Sequence, residues 1–191
     1  MKVASLEMQR ALMLALDTGQ RQGDILKMSW TNYDGSAISL RRGKRRRKDG
    51  EAPFVAIPCT KALRRVLDGI PRRSPLILTT KTGRAFKKRY FAEQWDKSVK
   101  AAGIADLHFH DLRGTAVTLL SEAACTPQQI ATITGHTLKT IHAILEKYLA
   151  RTRALADQAI FNFENSQRTE FANRLQTGVA SSEWDKRKAN E

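Results

Sequence analysis

The sequence predicts a mostly helical α+β domain that projects one basic β-hairpin. Three observations carry that expectation. Apolar residues recur at helical spacing through most of the first 165 positions, two short apolar segments bracket a run of cations, and helix-start and helix-stop residues punctuate the C-terminal half. The chain has 191 residues with 41% hydrophobic content, enough for one core with little room for a second folded unit. The expected boundaries are a folded domain over 1–165 and a polar tail over 166–191, either mobile or docking on another subunit.

The elements follow in order. Ser5 to Asp17 carries Leu6, Met8, Leu12, Met13, Ala15 and Leu16, and Gly19 stands where a helix would stop. A short second helix is expected over Gln22 to Ser29. Ala37-Ile38-Ser39-Leu40 and Phe54-Val55-Ala56-Ile57-Pro58 read as the two arms of a hairpin whose polar connection contains Asp49-Gly50. Thr60 can cap a helix bearing Leu63, Val66, Leu67 and Ile70, which Pro71 ends. Ser74 to Leu78 is a short strand or extended link, and Lys81-Thr82-Gly83-Arg84 a turn. From Lys87 to Ala101, Phe91, Trp95 and Val99 recur every fourth residue, which favours core packing over base stacking. A helix from His110 to about Ala124 precedes Thr126-Pro127-Gln128-Gln129, a capping box with proline at the first helical position. The helix that follows closes at Gly135. Two more helices are expected, one from about Leu138 through Tyr148 and one over Ala154 to Phe163.

Charge narrows the partners. Lys and Arg number 33 against 19 Asp and Glu, a formal balance of +14. Such an excess favours polyanions, because cations on the surface displace the counterions condensed on phosphate. Seven of the cations, Arg41, Arg42, Lys44, Arg45, Arg46, Arg47 and Lys48, fall within eight positions at the hairpin tip. A basic run flanked by strands is expected to lie along a phosphate backbone, with Arg41, Arg42, Arg45, Arg46, Arg47 and Lys48 as the DNA-binding residues. No window has the apolar length of a membrane span or signal peptide, so a soluble cytoplasmic protein is expected. Cys59 and Cys125 sit in apolar contexts without a C-x-x-C partner and read as reduced thiols. No metal-ligand spacing such as H-E-x-x-H occurs.

The residues able to do chemistry are ordinary one by one. Arg21 alone would be a surface cation, and Tyr148, on a stripe with Ile141 and Leu145, a core tyrosine. Their order along the chain changes the weighting. It runs Thr18-Gly19-Gln20-Arg21, the basic hairpin, His110-Asp111-Leu112-Arg113-Gly114-Thr115, Gly135-His136 and then Tyr148. In this order the sequence resembles the tyrosine recombinases, or phage-type integrases, and specifically their C-terminal catalytic domain, over roughly Ser5 to Phe163. The resemblance implies a tyrosine-recombinase-like helical bundle with a small antiparallel sheet.

It also implies roles. Arg21 is the first active-site arginine, with Asp24 as its acidic support; His110 and Arg113 match the His-x-x-Arg pair; His136 matches the histidine after glycine; Tyr148 matches the nucleophile. The hairpin lysine is Lys44, with Lys48 as the alternative. Tyr148 lies twelve positions after His136, a longer interval than many members show, yet no other tyrosine follows Tyr90.

The expected activity is metal-free cleavage and rejoining of duplex DNA through a 3′-phosphotyrosine, with no cofactor. The expected partners are double-stranded DNA carrying specific recombination sites and further copies of the chain, as a tetramer. The family's N-terminal DNA-clamp domain is expected to be absent. Two alternatives remain: a DNA-binding module of the same fold without catalysis, and a strand-passage enzyme of the type IB topoisomerase kind.

The chemistry suits these residue types. Phosphodiester transfer builds charge on non-bridging oxygens, which permanently charged guanidiniums can hold bidentately. Residues three apart share a helix face, so His110 and Arg113 can meet one phosphate. A phenol, with an ordinary pKa of about 10, requires cationic neighbours or a base to attack.

Overall fold

The computed structural model describes residues 4–41, 54–148 and 153–165. Its contacts divide the chain into two units, 1–149 and 150–191. The first unit is built around helix α1 (Leu6–Thr18). Ser5 Oγ accepts the Met8 N–H at 3.4 Å to start it, and Gly19 ends it with φ 60°, its N–H donating to Ala15 O at 2.9 Å. Met8, Ala11, Leu14 and Ala15 are buried along one stripe. With that stripe α1 packs against α2 (Gln22–Ile25), α3 (Lys61–Asp68), α4 (Lys88–Ala101) and α5 (Asp111–Glu122).

The second helix is much shorter than its periodicity predicts. The chain leaves α2 after Ile25 because extended pairing takes over. Ile77 N–H donates to Met28 O at 2.9 Å, Ser29 bridges to Leu76, and Trp30 N–H donates to Pro75 O at 2.9 Å. The segment Ser74 to Leu78 is thus an extended link, and Met28 is buried beneath it. A helix through Ser29 would forfeit all three links.

The hairpin arms form as expected. Strand β1 (Ala37–Arg41) pairs antiparallel with β2 (Phe54–Pro58), in register from Ala37 opposite Pro58 to Arg41 opposite Phe54. Ile38 faces Ile57, both fully buried, and half-buried Leu40 faces Val55, so one side of the ribbon seals onto the core while the other is solvated. The tip, 42–53, lies outside the described residues, and with it Arg42, Lys44, Arg45, Arg46, Arg47 and Lys48. Arg41 closes β1 and is exposed.

Thr60 caps α3 through its hydroxyl, which accepts the Leu63 N–H at 3.1 Å and donates to Asp17 at the end of α1. Helix α4 buries Phe91, Trp95 and Val99, and Phe109 meets both aromatics edge to face at 4.9 Å. Trp95 Nε1 donates to Leu107 O at 3.1 Å, so this ring is a core anchor.

Beyond Phe109 come α5, α6 (Pro127–Thr134) and α7 (Leu138–Tyr148), which pack on one another. The capping box is present: Thr126 N–H donates to Gln129 Oε1 at 2.7 Å and Gln129 N–H to Thr126 Oγ1 at 3.3 Å. Val117, Ile130 and Ile141, one from each helix, form a second small core. Helix α5 serves both clusters, with Leu112 in the larger and Val117 in the smaller. In the second unit, α8 (Arg153–Glu164) exposes Ile160, Phe161 and Phe163. Cys59 and Cys125 are free thiols, each half-buried. No helix among the described residues is long and apolar enough to cross a membrane.

One buried acid ties the hairpin entry to α3. Tyr33 is 6% exposed, and its hydroxyl donates to Asp68 Oδ1 at 3.0 Å, with Gly35 O at 3.1 Å. Burial, reinforced by the Asp68 carboxylate, pushes the phenol up from 10.0 to about 12. The unfolded chain therefore releases this proton first, and the stability that neutral Tyr33 contributes is complete below pH 10 and is lost as pH rises towards about 12. Urea midpoints measured across that window are expected to fall less steeply in Tyr33→Phe than in the wild type.

Candidate active site

The site is organised by a cation placed where two helices end. Arg113 lies on α5, one turn in from its start, and is 4% exposed. Its Nη1 donates to Gly19 O, at the cap of α1, and to Thr134 O, the last residue of α6, at 2.6 Å. Carbonyls at helix C-termini lack intrahelical donors and carry the negative end of the helix dipole. Between two such ends the positive charge faces two negative dipole ends, and Nη1 is hydrogen-bonded to both. Gln20 reinforces the junction, its Nε2 donating to Thr18 O at 3.0 Å and to Ile133 O at 2.9 Å. Close approach of the two ends requires glycine: a Cβ at Gly19 would lie 2.6 Å from Thr134 Cγ2, at a φ of 60° that side chains disfavour.

The predicted residues distribute around this clamp. His110 occupies the N-cap position of α5, exposed, three residues from Arg113. His136 follows Gly135, whose φ of 75° caps α6, and its Nδ1 is 2.9 Å from Thr134 Oγ1. His110, Arg113 and His136 line one cleft of about 540 Å³, with Thr115 of α5 and Thr140 and Ile144 of α7 on its walls. Arg21 is the exposed N-cap of α2, two residues past the carbonyl that Arg113 grips, and is not among the residues lining the cleft. Tyr148 is the last residue of α7, one helical turn beyond Ile144. Lys44 and Lys48 fall on the undescribed hairpin tip.

His108 pairs with Asp111 at the start of α5. Asp111 Oδ2 accepts its N–H at 2.8 Å and lies 3.6 Å from its Nδ1, while the ring is mostly exposed. His142 is exposed on α7. Sequence reasoning missed Gln20 and Thr134, although each adjoins a residue it did select. A second cleft of about 410 Å³, between the start of α1, the turn at 80–85 and the start of α4, is lined by Lys81, Arg84, Lys87 and Tyr90, and among the described residues no predicted site residue lines it. Among the described residues no group of three or more His, Cys, Asp or Glu is placed to hold a metal ion.

The helical frame, the two-stranded ribbon and the cleft with its His-x-x-Arg pair define a class, and comparison with known proteins agrees. A model of the phage integrase family matches residues 2–153. The chain belongs to that family, the tyrosine recombinases. It is 32% identical over 127 residues to the shufflon-specific DNA recombinase of Escherichia coli, which covers 64% of this chain and 30% of that protein. The XerA recombinase structure superposes with a TM-score of 0.60 at 17% identity, covering 84% of this chain and 64% of that one. A lambda integrase fragment (residues 75–356), seen as a dimer bound to a COC' core site, gives 0.61 at 19% identity, covering 76% and 54%. The chain thus spans under a third of its curated relative and less than two thirds of these solved relatives.

Replacing Arg113 by Met keeps the side-chain length and strands two buried carbonyls. Arg113→Met is expected to cost about 2–5 kcal/mol in urea unfolding, whereas His110→Gln, at an exposed position, is expected to change stability by less than about 0.5 kcal/mol.

Proposed function

We propose that this chain is the catalytic domain of a site-specific DNA recombinase that cleaves and rejoins duplex DNA through a 3′-phosphotyrosine on Tyr148. The observation that carries the reading is the convergence of His110, Arg113 and His136 on one cleft, with Tyr148 ending the helix that forms its far wall. The family membership and the curated relative's activity support it.

In this reading the Tyr148 phenolic oxygen attacks the scissile phosphorus. A bond forms from that oxygen to phosphorus, and the bond to the 5′-oxygen breaks. The phenolic proton passes to an imidazole of the cleft, and the leaving 5′-oxygen takes a proton from the hairpin lysine, Lys44 or alternatively Lys48. Arg21 and Arg113 hold the non-bridging oxygens as charge grows on them. A guanidinium already fixed by two carbonyls needs little reorganisation during the step, which is the advantage of the clamp. Rejoining runs the sequence backwards, with a 5′-hydroxyl attacking the phosphotyrosine, so the ester is conserved and no external energy source is needed.

The remaining hairpin cations, Arg41, Arg42, Arg45, Arg46, Arg47 and Lys48, hold the flanking backbone. Exchange between two duplexes cuts four strands, and four protomers with one nucleophile each meet that count. Exposed Ile160, Phe161 and Phe163 on α8, with the polar tail after it, suit docking on a neighbouring protomer.

A suicide duplex carrying a nick near the cleavage position tests the reading. A covalent protein–DNA adduct is expected in the wild type and in Tyr90→Phe and is expected to vanish in Tyr148→Phe; an adduct that survives Tyr148→Phe overturns the assignment. For the hairpin, Arg45→Gln/Arg46→Gln is expected to lower the slope of log K against log salt by about 2 while DNA already bound is cleaved at the normal rate. Normal binding with lost cleavage would reverse the division of roles.

A further inference from the structure

Thr134 holds more contacts than a helix-ending threonine needs. It is 1% exposed, and each part of the residue has a separate partner. Its carbonyl accepts from Arg113 Nη1 at 2.6 Å. Its methyl packs where a Cβ on Gly19 would fall, which seats the side chain against the end of α1. Its hydroxyl reaches Ile130 O at 2.8 Å and His136 Nδ1 at 2.9 Å, with the His136 N–H at 3.5 Å.

The proton count at this hydroxyl decides the state of the ring. A threonine hydroxyl has one proton to donate and two lone pairs with which to accept. Bonding back to the carbonyl four residues earlier is the usual habit of a helical threonine, and that carbonyl can only accept. The single proton is therefore spent on Ile130 O. Both remaining contacts reach the oxygen from nitrogens, so Nδ1 must bring its own hydrogen. Ile130 is fully buried and Thr134 nearly so, which leaves no solvent to replace the Ile130 bond were the hydroxyl to turn towards the ring.

We propose that Thr134 is a positioning residue that locks His136 in the Nδ1–H tautomer, so that Nε2 is the nitrogen that exchanges protons with, or donates to, the phosphate in the cleft. In water a neutral histidine side chain favours the opposite, Nε2–H, tautomer, so the assignment runs against the ring's own preference. The hydrogen bond made by one imidazole nitrogen sets the state of the other, and Thr134 supplies that bond from inside the helix that His136 follows. Thr134 touches neither substrate nor reacting atom; it acts through His136, and by its carbonyl it supports Arg113 as well. The kinetic consequence rests on the recombinase reading above, whereas the tautomer does not.

The closing experiment uses the full chain labelled with ¹⁵N-histidine, read by long-range ¹⁵N–¹H correlation at about pH 8, where an ordinary imidazole is neutral. The His136 signals are assigned by their loss in His136→Gln. The wild type is expected to show a protonated Nδ1 and an unprotonated Nε2 at His136. Thr134→Ser, which keeps the hydroxyl and drops the methyl, is expected to retain that pattern. Thr134→Val, which keeps the branched shape and drops the hydroxyl, is expected to lose it in favour of Nε2–H. In single-turnover cleavage of the suicide duplex, Thr134→Val is expected to be about 10- to 100-fold slower, as for loss of other supporting partners of a functional histidine, with Thr134→Ser close to wild type. A wild-type His136 carrying its proton on Nε2 overturns the proposal without any variant having to fold. Full cleavage by a folded Thr134→Val overturns the positioning role. Absence of cleavage by the wild type would instead count against the recombinase reading and leave the spectroscopic result to decide Thr134.

Discussion

A buried guanidinium shared between two helix ends holds the site together. Burying one cation is costly unless its charge is balanced and its donors are used. The chain meets part of that cost with carbonyl oxygens, by aiming the C-termini of α1 and α6 at Arg113 on α5. The carbonyls of Gly19 and Thr134 belong to segments 94 and 21 residues from Arg113, so one side chain fixes the relative placement of three helices. Carbonyl partners carry no net charge, and Arg113 lines the wall of the cleft.

The clamp also explains why glycines fall where they do. Gly19 lets α1 end abruptly and lets Thr134 come close, and Gly135 ends α6 so that the chain turns at once and delivers His136 beside Arg113. Gln20 adds a second bond across the same junction, and Arg21 comes next in the chain. The stretch from Thr18 to Arg21 is thus short because it has no slack: each residue ends a helix, bridges a junction or starts the next element.

The two hydrophobic clusters share α5, which links core packing to the cleft. Leu112 belongs to the larger cluster around α1 and α4, Val117 to the smaller one with α6 and α7, and Arg113 lies between them on the same helix. A disturbance in either core reaches the clamp through one rigid element. The chain's other cations play a different part. Most described Lys and Arg residues are exposed, whereas Arg113, the buried arginine among the described residues, is fixed by geometry.

Much of this was written locally in the sequence. Ser5, Thr60 and Thr126 announced helix starts, Gly19 and Gly135 announced stops, and the two short apolar segments Ala37 to Leu40 and Phe54 to Pro58 announced the ribbon. All of these depend on residues within about one turn or one pleat of each other, the range over which backbone and side-chain preferences act. The roles of Arg21, His110, Arg113, His136 and Tyr148 came from the resemblance of their order to the tyrosine recombinases, and local spacing by itself supports only the shared helix face of His110 and Arg113. The tertiary structure decided what local patterns cannot encode. The second helix stops at Ile25 because Met28 to Trp30 pairs with Pro75 to Ile77, and the burial of Arg113, the bridge from Gln20 to Ile133 113 residues away, and the reach of Thr134 to Gly19 arise only when distant helix ends meet. The sequence determined which groups could act; the packing of α1, α5 and α6 determined which of them is buried, anchored and aimed at the cleft.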